Sequence, residues 1–214
     1  MNKLELSKNY YLLLIDIKRS TKIFTSTRQK VFEMLDAKLK ELNEKLTPVP
    51  AIKLSISYGD EIAGLFDSAG QIYEIVHELR EAIHTNAQFR FVVSYGKTGA
   101  VSNDIRRIGG EIFKQADNLI KRLKKQDGFC IWSLGDLQQS DVLNSLTEMS
   151  NALLEHMTPY QRQVWNLLEH GMTQKQISEK LHKYPQSVSH ALKRGHADLV
   201  LNAGRLINRI LTQI

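Results

Sequence analysis

The sequence predicts an α+β protein in two parts. A ferredoxin-like sheet-and-helix domain comes first, and an all-α domain with a helix-turn-helix follows it. Three observations predict this. Short apolar runs of strand length alternate with helically spaced apolar residues as far as Ser133. No further strand-like run follows. The stretch Thr173–Arg194, TQKQISEKLHKYPQSVSHALKR, splits into two short amphipathic helices about a turn. The expected divisions are 1–140 for the first domain, 141–157 for a connecting helix and 158–214 for the second domain.

Tyr10–Ile17 is a continuous apolar run, which fits a strand buried on both faces. Val31, Met34, Leu35, Leu39, Leu42 and Leu46 have helical spacing, and Pro48 and Pro50 end that helix. Lys53–Ser57 and Glu61–Phe66 flank the turn Tyr58-Gly59-Asp60 and predict a hairpin. Ile72, Ile75, Val76, Leu79 and Ile83 mark the next helix. Phe89–Gly99 returns as a strand. Ile112, Phe113, Ala116, Leu119, Ile120 and Leu123 mark another helix, and Phe129–Ser133 closes with a strand.

The first four of these strands, with their helices, fit a split βαβ unit, in which strand one lies antiparallel beside strand three. The C-terminal end of strand one then meets the hairpin. Asp16 ends strand one and Asp60 sits in the hairpin, so two carboxylates far apart in sequence are expected at one sheet edge. Paired carboxylates with a backbone carbonyl, here that of Ile17, suit Mg²⁺ or Mn²⁺. A helix starting after Ser20-Thr21 would present N–H donors to a phosphate. Ser20, Thr21, Gly59 and Glu61 are therefore the candidate contacts for a nucleotide. Helix capping by Asp16 and turn formation by Asp60 are the competing roles.

In the second part, Ile177 and Leu181 form the inner face of one helix, and Val188 and Leu192 that of the next. Ser178 is small where the two cross. Pro185 fits a first helical turn, where its missing N–H is not needed. The outer face of the second helix carries Gln186, Ser187, Ser189, His190, Lys193 and Arg194. Such side chains hydrogen-bond base edges and phosphates, so double-stranded DNA is the expected partner. A helical hairpin that only packs or binds protein is the alternative. From Ser150 onward there are eight Lys+Arg against four Asp+Glu, and five of the seven His; residues 1–149 hold 21 against 19. The excess suits a polyanion, although a solvated face would account for it equally. The last helix has a broad apolar stripe of Leu199, Val200, Ala203, Leu206, Ile207, Ile210, Leu211 and Ile214. It must be covered by the same chain or by a second copy in a homodimer.

The 214 residues are 42% hydrophobic and 24% charged, an ordinary globular composition. Four prolines and no low-complexity run argue against long disorder. Cys130 is the only cysteine and lies in the apolar run FCIW, so it reads as a core thiol that forms no internal disulfide. The apolar run at Tyr10 stops at Asp16, too short for a membrane span, and no signal-peptide cleavage pattern follows it. A cytoplasmic protein without membrane association is expected.

LLLIDIKRST resembles the first metal motif of class III nucleotidyl cyclases, and SYGDEIAGLF resembles their second. RFVVSYGKTGA and RRIGGEIFKQADNLIKRL are similar to the strand and helix that follow. YGDEIAGL is also similar to the signature of GGDEF cyclases, with Tyr58 in place of their first glycine. Over nearly the whole chain the sequence resembles the SatD-like family, in which a cyclase-type domain is joined to a C-terminal helix-turn-helix. Thr158-Pro159-x-Gln161 and Gly171-x-Thr173 belong to that likeness. The resemblance implies metal aspartates at Asp16 and Asp60. It also implies a purine-selecting lysine where this chain has Ile56, and a transition-state asparagine and arginine where it has Phe113 and Asp117. A cyclase needs positive charge at the phosphoryl transition state. The expectation is a DNA-binding transcriptional regulator whose cyclase-like domain binds a nucleotide or metal without turnover. An active cyclase localised by its C-terminal domain is the alternative.

Overall fold

The computed structural model describes residues 4–19, 25–57 and 59–214, with Thr25 by its backbone alone. The chain divides into two compact units, Met1–Asn144 with Asn208–Ile214, and Ser145–Ile207.

The first unit is built on a five-stranded sheet in the order β2-β3-β1-β4-β5. Its strands are β1 (Asn9–Ile17), β2 (Ile52–Ile56), β3 (Glu61–Phe66), β4 (Phe89–Lys97) and β5 (Cys130–Ser133). β1 is central, antiparallel to β3 on one side and to β4 on the other, while β5 runs parallel to β4. That position accounts for the long run that is apolar but for Asp16: Tyr10 to Ile17 are all buried, because helices cover both faces of the sheet. Alternate residues divide between the faces. Tyr10, Leu12 and Leu14 pack with Ala63, Leu65 and Val92 against α3 (Glu111–Gln126), through Ile112, Ala116, Ile120 and Leu123. Leu13 and Ile15 point to the opposite side, where α1 (Thr25–Lys45) and α2 (Ile72–Ile83) pack on each other.

Both edges of the sheet are capped by an asparagine. The Asn43 amide donates to the carbonyl of Leu54 on β2 at 2.8 Å and accepts from its N–H at 3.0 Å. The Asn144 amide does the same for Trp132 on β5, at 3.2 and 2.7 Å. Each amide supplies the donor–acceptor pair that a further strand would supply, which blunts the edge.

The N-terminal end of α3 is seated by a backbone contact. Gly110 has φ +107°, and a Cβ there would lie 2.3 Å from the amide nitrogen of Gly99 at the end of β4. Only glycine permits this approach. At the other end Asp127 adopts the left-handed conformation and accepts from Lys18 through its carbonyl.

The second unit is all helical within the described residues. It holds the later part of α4 (Leu137–His156), then α5 (Pro159–Glu169), α6 (Gln174–Leu181), α7 (Pro185–Arg194) and most of α8 (Ala197–Leu211). Thr158 with Gln161, and Thr173 with Gln176, form reciprocal caps at the starts of α5 and α6. Leu154, Val164, Trp165, Ile177, Val188 and Leu192 are core residues of this unit. The turn between α6 and α7 is closed by the Lys183 N–H to the Ser178 carbonyl at 3.0 Å and by Ser178 Oγ to the Lys183 carbonyl at 2.5 Å. His182 takes the left-handed conformation there, φ 51°. Along α8, Val200, Ile207 and Leu211 are buried within the chain, while Leu199 and Leu206 stay exposed. Among the described residues, no helix is long and apolar enough to cross a membrane.

Candidate functional site

The sheet register sets three charged residues side by side. Asp16 stands opposite Glu61 on β3 and opposite Arg90 on β4. Asp16 is two residues from Leu14, Glu61 two from Ala63 and Arg90 two from Val92, so the row lies on the α3 face of the sheet. It forms the charged end of that face, next to the apolar packing of Leu14, Ala63 and Val92.

Asp16 is buried and paired with cations on both carboxylate oxygens. Lys124 Nζ of α3 lies 2.6 Å from Oδ1, and Arg90 Nε lies 3.5 Å from Oδ2. Arg90 is itself buried; it donates to the Leu123 carbonyl at 3.4 Å and lies 3.9 Å from Asp127. Its Nε makes no hydrogen bond, so the contact with Asp16 is electrostatic. Lys18 pairs with Asp127 at 3.3 Å, which holds the carboxyl of Asp127 below its usual range. These contacts tie the C-terminal end of α3 to the ends of β1 and β4. A lysine at that helix end also complements the helix dipole.

Glu61 is also altered by this corner. Burial pushes its carboxyl above the usual range. Lys124 opposes the rise, while the charges of Asp16, Asp117 and Asp60 add to it. Asp60 stands one residue beyond Glu61, half-buried in the turn, next to Gly59 with φ +58°. The carboxylate placed directly opposite Asp16 is thus that of Glu61, not that of Asp60. Ser20 and Thr21 lie outside the described residues, as does Tyr58. The side chain of Ile17 is buried.

A divalent cation, as the sequence led us to expect on Asp16, the Ile17 carbonyl and Asp60, does not fit this arrangement. Both oxygens of Asp16 already face cations of the chain. Among the described residues no three His, Cys, Asp or Glu are grouped to hold a metal ion. Of the two positions on α3, Phe113 packs against the sheet core and Asp117 is exposed. Neither brings positive charge.

In the second unit, α7 turns Val188, Ala191 and Leu192 inward. Gln186, Ser187, Ser189, His190, Lys193 and Arg194 are all exposed on its other side. Pro185 occupies its first turn, and Tyr184, just before it, is 81% exposed.

The family model described as the SatD family matches residues 10–208. The chain belongs to the SatD family. No curated protein matches it. Solved structures similar to this SatD-family chain include a bacterial light-regulated adenylyl cyclase, at 10% identity and a TM-score of 0.42 over 62% of this chain. The chain spans 44% of that cyclase's length. A microbial GGDEF domain is similar over 59% of this chain and 78% of its own, at 12% identity and a TM-score of 0.40. A regulator of polyketide synthase expression from Bifidobacterium adolescentis is similar over 95% of this chain and 81% of its own, at 13% identity and a TM-score of 0.26. None of these likenesses reaches 0.5, and the assignment rests on the family match.

Sequence reasoning passed over Arg90 and Lys124. In this SatD-family chain each carried a signal. Arg90 is a charge inside the apolar strand FRFVV, which calls for a buried partner. Lys124 lies one turn beyond Ile120, so it flanks the face that α3 presents to the sheet.

Proposed function

We propose that the chain is a DNA-binding regulator in which α6 and α7 form a helix-turn-helix, with α7 as the helix that enters the major groove. The observation that carries this reading is the outward face of α7. Its six polar and cationic side chains are exposed together, while the inward side is buried in the unit's core. Gln186, Ser187, Ser189 and His190 lie toward its N-terminal half, the part a recognition helix presents to base edges. Glutamine pairs with adenine, and serine bonds several bases. Lys193 and Arg194 follow one to two turns later and suit phosphates. Double-stranded DNA is the partner on this reading, and the cytoplasm the place of action. A two-fold dimer, with Leu199 and Leu206 in its contact, would match paired half-sites.

The cyclase-like domain belongs to the same reading as a non-catalytic part that responds to a ligand, a nucleotide among the candidates. Phe113 and Asp117 support the absence of turnover, because a phosphoryl transition state needs positive charge where they stand. Incubation with ATP or GTP and Mn²⁺, followed by chromatography for cyclic product, tests this; detection of product overturns it.

DNA recognition is tested by selecting duplexes from a random pool and measuring their affinity by fluorescence anisotropy. Gln186→Ala should cost roughly 1–3 kcal/mol on the selected site and little on other sequences. Lys193→Ala should weaken all sequences alike and lower the salt slope by about one ion. If neither substitution changes affinity at low salt, α7 is not the reader.

A further inference from the structure

We propose that the ammonium of Lys124 is the resident cation of the Asp16–Glu61 corner, and that it holds divalent ions out of the place where the sequence pattern invites them. The inference is independent of the DNA reading and stands or falls apart from it.

Three observations on the first unit carry it. The ammonium sits 2.6 Å from Oδ1 of Asp16, an ordinary charge-assisted hydrogen bond. Glu61 stands directly opposite Asp16 in the register of β1 and β3, so the same corner holds a second carboxylate. Finally, α3 is fixed at both ends, so the lysine does not depend on a mobile element. Gly110 meets the backbone of Gly99 at the start of the helix, and Lys18 holds Asp127 at its end. Ile120 and Leu123 bury the turn from which Lys124 emerges.

A lysine and a divalent ion make different demands on this corner. One ammonium needs one carboxylate oxygen and keeps the rest of its hydration, since the side chain is 44% exposed. Mg²⁺ or Mn²⁺ needs several oxygens in near-octahedral array. Arg90 already stands at Oδ2, so Oδ1 is the oxygen an incoming ion would use, and Lys124 covers it. A bound ion would also sit within a few ångströms of the ammonium. A doubly charged ion and an ammonium about 4 Å apart repel twice as strongly as two unit charges, and the repulsion exceeds a tenfold change in affinity even at the dielectric constant of water, about 80. Removing the lysine charge should therefore raise divalent affinity by at least about tenfold.

The test is a Mn²⁺ titration of the ¹⁵N-labelled full chain, read as paramagnetic loss of amide signals. In the parent protein, the amides of Leu14–Lys18 and Gly59–Ile62 should fade no earlier than other surface amides. In Lys124→Ala they should fade first, at a Mn²⁺ concentration at least about tenfold lower. Lys124→Arg, which keeps the charge, should behave as the parent does. Lys124→Gln keeps the stem and drops the charge, and serves as the second neutral variant should the alanine protein fold poorly. Selective fading in the parent at the same concentration as in the neutral variants overturns the proposal. So does its absence from a folded neutral variant, which would leave Lys124 as a structural ion pair alone.

Discussion

Asp16→Asn should destabilise the first unit by about 3 kcal/mol, because it leaves a buried guanidinium without its charge partner. Asparagine keeps the shape of the side chain and removes only the charge. Side-chain exposure is 6% for Asp16 and 9% for Arg90, so water compensates little for the loss. Breaking a buried pair on one side costs about 3–5 kcal/mol. The lower end applies here. Arg90 retains the Leu123 carbonyl at 3.4 Å and the exposed Asp127 at 3.9 Å, and its Nε was not hydrogen-bonded to Asp16. Lys124 is nearly half exposed, so its share adds less than about 1 kcal/mol. The assay is urea unfolding in a Trp165→Phe background, where Trp132 alone reports on the first unit. The midpoint should fall with the slope unchanged. Arg90→Met placed on Asp16→Asn should recover at least about half of the loss, since no buried unpaired charge then remains. A single substitution within about 0.5 kcal/mol of the parent refutes the reasoning, as does a double mutant that is additive to that precision.

Two further outcomes follow from single residues. The Glu61 carboxyl is raised by burial, with Asp16, Asp117 and Asp60 adding to the rise against Lys124. The folded state therefore holds that proton more tightly than the unfolded chain does. The cost of ionising it sets in as pH climbs from the ordinary glutamate value of about 4.3 and is complete above the folded value. Glu61→Gln should accordingly be more stable than the parent at neutral pH and equal to it at acid pH, in paired urea titrations; equal stability at both would count against a raised carboxyl. His182→Gly relieves a left-handed residue with a side chain, φ 51°. The left-handed penalty of about 1–2 kcal/mol exceeds glycine's entropic cost of about 0.5–1 kcal/mol. The second unit should gain about 0.5–1 kcal/mol, read from Trp165 fluorescence in urea.

The sheet was legible because its signals are local and strong. An unbroken apolar run at Tyr10–Ile15 demands a central strand, and the split βαβ connectivity then sets strand one beside strand three, as the pairing of Tyr11–Asp16 with Glu61–Phe66 bears out. What the sequence hid depends on contacts between distant elements. The spacing from Ile120 sets Lys124 beside the buried face of α3, but its partner Asp16 becomes visible only when Ile112, Ala116, Ile120 and Leu123 lay α3 on the sheet. Asn43 and Asn144 look like surface residues of amphipathic helices, and only the sheet edges beside them explain two hydrogen bonds each. The pair Gly109-Gly110 reads as a turn, yet what Gly110 answers is the backbone of Gly99. His182 shows the reverse case: glycine is the usual choice for that conformation, and the histidine adopts it nonetheless.

The difference between a metal corner and an ion-paired one comes down to a single step of register. A slip of β3 by one residue would bring Asp60 opposite Asp16 and turn Glu61 toward the face where Ile15 and Ile62 lie, a face with no polar partner in its strand pattern. The slip is opposed by packing as well as by charge. A Cβ on Gly64 would lie 2.8 Å from Leu54 Cδ2 and 3.2 Å from Phe66 Cε2, so a side chain there would have to push Leu54 aside. That slip would carry Ala63 into it. Close packing at Gly64 and the cost of burying Glu61 without a partner thus act on the same strand in the same direction. Together they keep Glu61 in the row with Asp16 and Arg90, where Lys124 can neutralise it, and leave Asp60 one residue outside, in the turn.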